Sequence, residues 1–372
     1  MEVLHVYKTF LGDNFGGVER VIAQISQSAY ASDDVKHRVL SLSPQPIPKE
    51  LDFNGCKNIR YKENFCIASN SISFSLLKDF RSLVEEADII HYHFPWPFAD
   101  ILHLAWQIKK PSLLTYHSDI VRQRILLCLY RPLMNRFLKA VDHIVATSPN
   151  YLETSTVLQK YKDKVSVIPI GLNKASYPSP CQERTSHWRT RYGDQFFLFV
   201  GVMRYYKGLH ILLEAARETT FPILIVGTGP IEIELKLKAE ELKLTNIYFL
   251  GRLSDEDKIV LLQLCIAVIF PSHLRSEAFG ISLLEGAMYS KPLISSEIGT
   301  GTSYININGE TGLVVPPSDP LALRKAMQFL WDNPLERAEM GEKAILRYWE
   351  LFTAEKMVNQ YEKLYRKMTN RG

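Results

Sequence analysis

Residues 270–293 read FPSHLRSEAFGISLLEGAMYSKPL, and the rest of the chain is organised around them. The stretch opens on the end of an apolar run, Ile266 to Phe270, that reads as a buried strand. Pro271 and Ser272 break the strand, a polar loop follows, and a helical pattern begins at Phe279. Two carboxylates, Glu277 and Glu285, sit eight residues apart. With the helix starting near Phe279, Glu277 lies in the loop at its mouth and Glu285 almost two turns in. The free N–H groups of Phe279, Gly280 and Ile281 then point out of the positive end of the helix dipole, a ready site for an anion. Gly280 leaves room for a ligand to approach the backbone. The competing structural reading is a capped helix with one surface and one partly buried Glu.

The run Glu277-Ala-Phe-Gly-Ile-Ser-Leu-Leu-Glu285 resembles the Glu-x7-Glu signature of the family 4 retaining glycosyltransferases. The resemblance implies the GT-B fold: α/β, two Rossmann-like domains facing each other across a cleft, with a C-terminal helix crossing back to the first domain. It implies that Glu277 binds donor-sugar hydroxyls and that Glu285 binds the ribose of a sugar nucleotide. No metal and no cofactor are implied.

The chain has 372 residues, which favours two domains over one core. Apolar residues make up 46% and charged residues 23%, the balance of a soluble globular protein. No apolar run reaches membrane-spanning length. The opening MEVLHVYKTF lacks a basic flank and a long apolar core, so it reads as a first strand rather than a signal peptide. Five scattered cysteines with no CxxC spacing fit a reducing cytoplasm. A net charge of +4 is too mild to argue for nucleic acid as a partner.

Apolar runs at Val3–Tyr7, Arg38–Leu42, Asp88–Tyr92, Leu113–Tyr116, Asp142–Ala146 and Val165–Ile168 alternate with helical patterns. That alternation predicts a parallel sheet covered on both faces. After the first strand, Gly16 and Gly17 form a loop that feeds a helix; the resemblance places this loop near donor phosphate and acceptor, and the plain alternative is a tight turn. His91, His93 and His117 fall at strand carboxyl ends, where such sheets bind ligands. A metal reading of the three lacks a supporting carboxylate–histidine spacing. Thr115-Tyr116-His117-Ser118-Asp119 is similar to the family loop whose histidine contacts the donor sugar, which makes His117 the candidate, with Asp119 as the group that orients its ring. The alternative is a capped helix start with His117 incidental.

The segment 120–141 carries Arg122, Arg124, Arg131, Arg136 and Lys139 and no acid. All five fall within one half of a helical wheel, with Leu126, Leu127, Tyr130, Leu133, Met134 and Phe137 filling most of the other. Such a helix docks on an anionic membrane surface or simply solvates a basic face. Pro132 is expected to kink it or to start a second helix.

The domains are expected at 1–173 for the N-terminal, acceptor-binding unit and 195–350 for the nucleotide-sugar unit, joined by a Pro/Ser/Thr-rich linker at 174–194, with 351–372 as the returning helix. The second half restarts the alternation at Phe196–Val200. The family shows Gly-Arg, four residues, then Lys-Gly; here Val202 follows Gly201 and the motif ends in Lys207-Gly208. Arg204 is two residues on and faces the same way in an extended segment, so Arg204 and Lys207 are the candidates that neutralise a departing diphosphate. Leu224–Pro230 is a strand and glycine turn without a full dinucleotide fingerprint. Leu253, after the strand 247–250, lines the base in the resemblance.

These expectations combine into a retaining hexosyltransferase. Its donor is a nucleotide sugar, GDP-mannose by preference, and its acceptor a lipid-linked glycan of lipopolysaccharide O-antigen biosynthesis. It is expected in the cytoplasm, peripheral at the inner face of the plasma membrane. The same fold with a UDP-sugar donor, a sugar-nucleotide epimerase, and an inactive nucleotide- or glycan-binding subunit are the alternatives. Donor turnover without acceptor would favour the epimerase, and binding without transfer the inactive subunit.

Overall fold

The structure is a computed structural model that describes the chain apart from residues 15, 27–29, 31, 33, 54, 69, 121–123 and 370–372, with the backbone alone at 124 and 125. The chain divides into two compact units, Met1–Gly171 with Ala354–Gly372, and Leu172–Thr353.

The first unit holds β1 (Glu2–Val6), β2 (Lys36–Ser43), β3 (Glu50–Phe53), β4 (Cys56–Lys62), β5 (Phe65–Ile67), β6 (Asn70–Ile72), β7 (Ile89–Phe94), β8 (Ser112–Tyr116), β9 (His143–Ala146) and β10 (Val165–Val167). Eight of these form one sheet in the order β10-β9-β8-β7-β1-β2-β4-β3. Pairing is parallel except between β3 and β4. β7 and β8 are buried along their whole length, His91, His93, Ser112 and Thr115 included, so neither shows the buried/exposed alternation of a strand with one face in water. The hairpin β3–β4 and the small pair β5–β6 were not expected from the sequence. β3 and β4 mix charged and polar residues with apolar ones, and β5 and β6 are three residues each, so no apolar run marks them.

The second unit holds β11 (Phe197–Val200), β12 (Ile223–Val226), β13 (Ile247–Gly251), β14 (Ala267–Phe270), β15 (Leu293–Ser296) and β16 (Gly312–Val315). They form one all-parallel sheet in the order β13-β12-β11-β14-β15-β16. Counted within the unit this is 3-2-1-4-5-6, the doubly wound nucleotide-binding order. Its core includes Phe197, Phe199, Ile225 and Ile269 from the sheet and Leu212, Leu323 and Met327 from covering helices.

The stretch 174–194, expected as a linker, is folded and belongs to the second unit. Residues Gln182–Tyr192 form a helix despite weak periodicity. Trp188 anchors it: the ring is buried and its Nε1 donates to Asp257 Oδ1 at 2.9 Å, beside Arg184 Nη1 at 2.8 Å. Trp188, the Tyr192 ring stacked on it and one ion pair hold a helix whose other residues are mostly exposed, so the segment lacks the apolar stripe that would have announced it. The last helix, Ala354–Thr369, packs into the first unit, where Tyr361 and Tyr365 are fully buried.

The basic segment is a helix, Arg124–Ala140, that continues through Pro132. Met134, Phe137 and Leu138 are buried, and Arg131, Arg136 and Lys139 are exposed. Leu126, placed in the half expected to face the core, is exposed at 48%, and Leu129, which falls on the basic half, is exposed at 76%. Arg122 lies outside the described residues, as does the side chain of Arg124. Among the described residues no helix is long and apolar enough to cross a membrane.

Candidate active site

In doubly wound sheets ligands bind beyond the carboxyl ends of the strands, where the strand order reverses. In the second unit that point lies between β11 and β14, which are neighbours in the sheet. The loop after β11 carries Val202 to Lys207, and the loop after β14 carries Pro271 to Gly280. Of the residues singled out from sequence in this unit, Arg204, Lys207, Glu277, Phe279 and Gly280 lie on these two loops.

The two loops are locked to each other. His273 N donates to Tyr206 O at 3.0 Å. Gly208 closes a single turn over Tyr205–Lys207 with φ of +71°, and a Cβ there would lie 2.0 Å from Pro271 O, so only glycine lets the loops meet. Lys207 reaches across to Glu277: Nζ donates to Oε2, and Ser272 Oγ donates to the same oxygen at 3.3 Å. The ammonium also lies over the Phe270 ring, 4.6 Å from its centroid. Arg204 and Val202 are both exposed and flank the buried Met203, so the two positions project alike from the loop.

The helix begins later than expected. It spans Ile281–Met288, with Gly280 as its N-cap at φ of +101°. That left-handed backbone cannot continue a right-handed helix. The unpaired N–H groups of the first turn therefore belong to Ile281, Ser282 and Leu283 rather than to Phe279, Gly280 and Ile281. Phe279 is a buried anchor instead, packed edge-on to Phe352 with ring centroids 6.1 Å apart.

Glu285 is buried on this helix, and its Oε1 accepts from Lys258 Nζ at 2.9 Å and Tyr177 OH at 3.1 Å. Lys258 also meets Asp255 at 3.0 Å. Lys258 and Tyr177 were not anticipated. Tyr177 comes from the stretch read as a linker, and Lys258 sits in a helix where nothing in sequence distinguishes it from a surface lysine. Leu253 is half-buried just after β13. The loop 297–303 is held on the Glu277 segment by Gly301 N donating to Ala278 O at 2.8 Å, and Arg275 Nη1 donates to Gly299 O at 2.8 Å.

In the first unit, Gly16 immediately precedes, and Gly17 begins, the helix Gly17–Ser26 that follows β1. Glu19 folds back over this turn, where Oε1 accepts from Thr9 Oγ1 and Asn14 Nδ2, both at 2.6 Å. A Cβ on Gly16 would lie 2.3 Å from Glu19 Oε2. His117 follows β8 and is buried. Asp119, expected to orient its ring, has Oδ1 engaged by Tyr116 OH at 2.9 Å and Ser155 Oγ at 3.2 Å. The ring is oriented by another histidine: His117 Nε2 meets His93 Nδ1 at 2.9 Å.

The metal reading took His91, His93 and His117 together. The structure instead groups His5, His91 and His93, with ring nitrogens within 4.8 Å of one another. All six of those nitrogens are engaged by protein. His91 bonds Tyr365 OH and Thr115 Oγ1, both at 2.7 Å. His5 bonds His93 at 3.1 Å and His37 at 2.9 Å, and the second nitrogen of His93 is the one that meets His117. Burial lowers the pKa of every one of these rings, His117 to about 3 and His37 to about 4. They are neutral at pH 7.

Two parallel-sheet units, one wound 3-2-1-4-5-6 with a Lys–Glu pair at its switch point, define a glycosyltransferase of the GT-B fold. Its spacing Glu277-x7-Glu285 and its similarity to known proteins agree on the family. The chain belongs to glycosyltransferase family 4. The family description Glycosyltransferase Family 4 matches residues 15–175, and Glycosyl transferases group 1 matches residues 183–347. The chain is 58% identical to D-rhamnosyltransferase WbpZ of Pseudomonas aeruginosa over 95% of its own length and 93% of the relative's. It is 50% identical to O-antigen chain mannosyltransferase C of Escherichia coli over 98% of each. Among solved structures, sucrose-phosphate synthase from Thermosynechococcus elongatus superposes with a TM-score of 0.81 at 20% identity over the whole of both chains. Anabaena HepE in complex with UDP-glucose gives 0.79 at 17% identity over 99% of this chain and 100% of that one.

Proposed function

We propose that this chain transfers mannose from GDP-mannose, with retention of anomeric configuration, to a lipid-linked glycan in O-antigen assembly. The observation that carries the reading is the junction of the two loops at the β11/β14 switch point, where Lys207 and Glu277 converge beside a helix N-terminus. A nucleoside diphosphate sugar has the matching chemistry: anionic oxygens for Lys207, Arg204 and the N–H groups of Ile281 to Leu283, and sugar hydroxyls for Glu277. Glu285 takes the ribose, Leu253 lies against the base, and Gly16 and Gly17 are the first unit's loop contact to phosphate and acceptor. His117 is the first unit's contact to the sugar. Arg204 stands in for the family arginine absent at Val202. No side chain here is placed as a nucleophile on the sugar. The reading therefore has the acceptor attack from the leaving-group side, with Lys207 and Arg204 stabilising the charge that develops on the diphosphate.

A second reading follows from the 58% relative, whose name specifies D-rhamnose. D-rhamnose is 6-deoxy-mannose, so the two donors present the same hydroxyls at C2, C3 and C4 and differ only at C6. The enzyme works at the cytoplasmic leaflet in either case, held there by the helix 124–140. A panel of GDP-mannose, GDP-D-rhamnose, GDP-fucose and UDP-glucose, scored by ligand-induced thermal shift, separates the readings. A larger shift with GDP-mannose, and an α-linked product by NMR, is the expected result. A larger shift with GDP-D-rhamnose moves the donor assignment to the second reading, and a β-linked product removes retention.

A further inference from the structure

The hydrogen bonds of the first unit join four buried histidines into one chain. His117 Nε2 meets His93 Nδ1 at 2.9 Å, His93 Nε2 meets His5 Nδ1 at 3.1 Å, and His5 Nε2 meets His37 Nδ1 at 2.9 Å. The chain crosses β8, β7, β1 and β2, which are successive neighbours in the sheet. Its members lie on one face because residues two apart in a strand share a face. Their exposures run from 0% at His5 to 7% at His37 and His117.

A neutral imidazole has one N–H and one lone pair. His93 and His5 each make two ring bonds, so each must donate at one nitrogen and accept at the other. All three bonds of a neutral chain therefore point the same way, and only two arrangements exist. In the first, His117 donates from Nε2 and the chain ends in an N–H at His37 Nε2. In the second, His37 donates from Nδ1, each ring passes the polarity on, and His117 accepts at Nε2 and carries its proton on Nδ1. The far end decides between them. His37 Nε2 is buried and has no hydrogen-bond partner among the described residues. Among backbone groups, buried N–H groups without partners are rarer than under-used acceptors, and the same preference is applied to the ring. The second arrangement leaves only a lone pair there.

We propose that the chain His37–His5–His93 fixes His117 as the Nδ1–H tautomer, so that the ring presents a hydrogen-bond donor at the nitrogen the chain leaves unused. His93, His5 and His37 are positioning residues, the last of them three rings away from His117. His91 stacks on His93, with ring centroids 4.2 Å apart, and is itself held by bonds to Tyr365 and Thr115, which restrains the His93 ring. What the donor serves rests on the reading of His117 as a sugar contact: Nδ1–H suits an oxygen that accepts, such as a sugar hydroxyl or ring oxygen.

The test is long-range proton–nitrogen NMR on the full chain with nitrogen-15 histidine at pH 7.5, with His117 assigned by its loss in His117→Gln. The expected spectrum shows His117 protonated at Nδ1 and bare at Nε2. Protonation at Nε2, or a charged ring, overturns the proposal. In His93→Leu the ring should revert toward the Nε2–H form that isolated imidazole side chains prefer; an unchanged Nδ1–H form there also overturns it. Should His93→Leu not fold, His5→Leu, one ring further away, gives the same comparison, and the wild-type spectrum decides alone. Kinetics separate the two layers. His93→Leu should lower kcat/KM about tenfold, the worth of one hydrogen bond, and adding His117→Ala should cost no more. If His117→Ala alone leaves transfer unchanged while the wild-type ring is Nδ1–H, the chain stands and the sugar-contact reading falls.

Discussion

Lys207 and Glu277 form an ion pair across two loops, with side chains only 12% and 11% exposed. The sequence reading gave the two residues separate tasks, one on the diphosphate and one on the sugar. The two side chains neutralise each other. On the proposed reading, a donor that brings its own anion to Lys207 would loosen this pair and free Glu277 to accept from sugar hydroxyls.

The pair yields a prediction that separates stability from chemistry. Glu277→Ala should reduce turnover about 100-fold or more, in the range of losing one preorganised electrostatic contact. Either single substitution leaves a largely buried charge and should cost about 3 kcal/mol of stability. The double variant Lys207→Ala with Glu277→Ala should recover most of that stability in urea denaturation and none of the turnover. Near-wild-type turnover in folded Glu277→Ala would remove the residue from the site.

Glu285 makes a comparable bond to Lys258, and here the expected phenotype is different. A ribose contact is nearly the same in ground and transition states, so Glu285→Gln should mainly raise the donor KM and leave kcat close to wild type. It should also cost about 3 kcal/mol, the lower end for an uncompensated buried charge, because Asp255 still faces Lys258 at 3.0 Å. A fall in kcat with KM unchanged would contradict the ribose assignment.

The buried histidines make the first unit acid-sensitive. Burial holds His5, His91 and His93 well below the usual 6.5, and His37 and His103 to about 4. The unfolded chain thus binds more protons than the folded one between pH 6.5 and 4. Stability from these groups is full above pH 6.5 and is lost as pH falls, at up to about 1.4 kcal/mol per pH unit for each ring. Asp100 offsets one of them, since burial raises its carboxyl and the folded state then binds the extra proton. Urea midpoints should drop steeply from pH 7 to pH 5, and His37→Leu should flatten the slope. A flat profile in wild type would mean that these rings are not buried neutral.

The helix 124–140 carries the membrane hypothesis. Arg131, Arg136 and Lys139 are exposed, as are Leu126 and Leu129. Near an anionic leaflet each such cation is worth about 1 kcal/mol, and salt screens the sum. Cosedimentation with phosphatidylglycerol vesicles should weaken as salt rises. It should be lost when Arg122, Arg124, Arg131, Arg136 and Lys139 are replaced by Gln, while transfer to a short water-soluble acceptor persists. Vesicle binding equal to wild type in that variant would leave the basic face a solvated one.

Read alone, the amino-acid order determined the parts of this protein that depend on local periodicity and spacing. An unbroken apolar run such as Ile266–Phe270 announces a strand buried on both faces, because such a strand needs no polar alternation. The eight-residue step from Glu277 to Glu285 and the Lys207-Gly208 pair were visible because one helix and one loop carry each. The tertiary structure decided whatever depends on a partner distant in sequence. The helix 182–192 is held by Trp188 and Arg184 on Asp257, and no stripe of its own marks it. Gly280 moves the helix start by two residues because its φ is set by the packing of the loop around it. The histidine chain shows the limit most plainly. His91 and His93 alternate in one strand and could be read as sharing a face, but His5 and His37 stand alone in theirs. Only the strand order β8-β7-β1-β2 brings the four rings within hydrogen-bonding distance, and the proton position on His117 is a property of that pairing rather than of any segment.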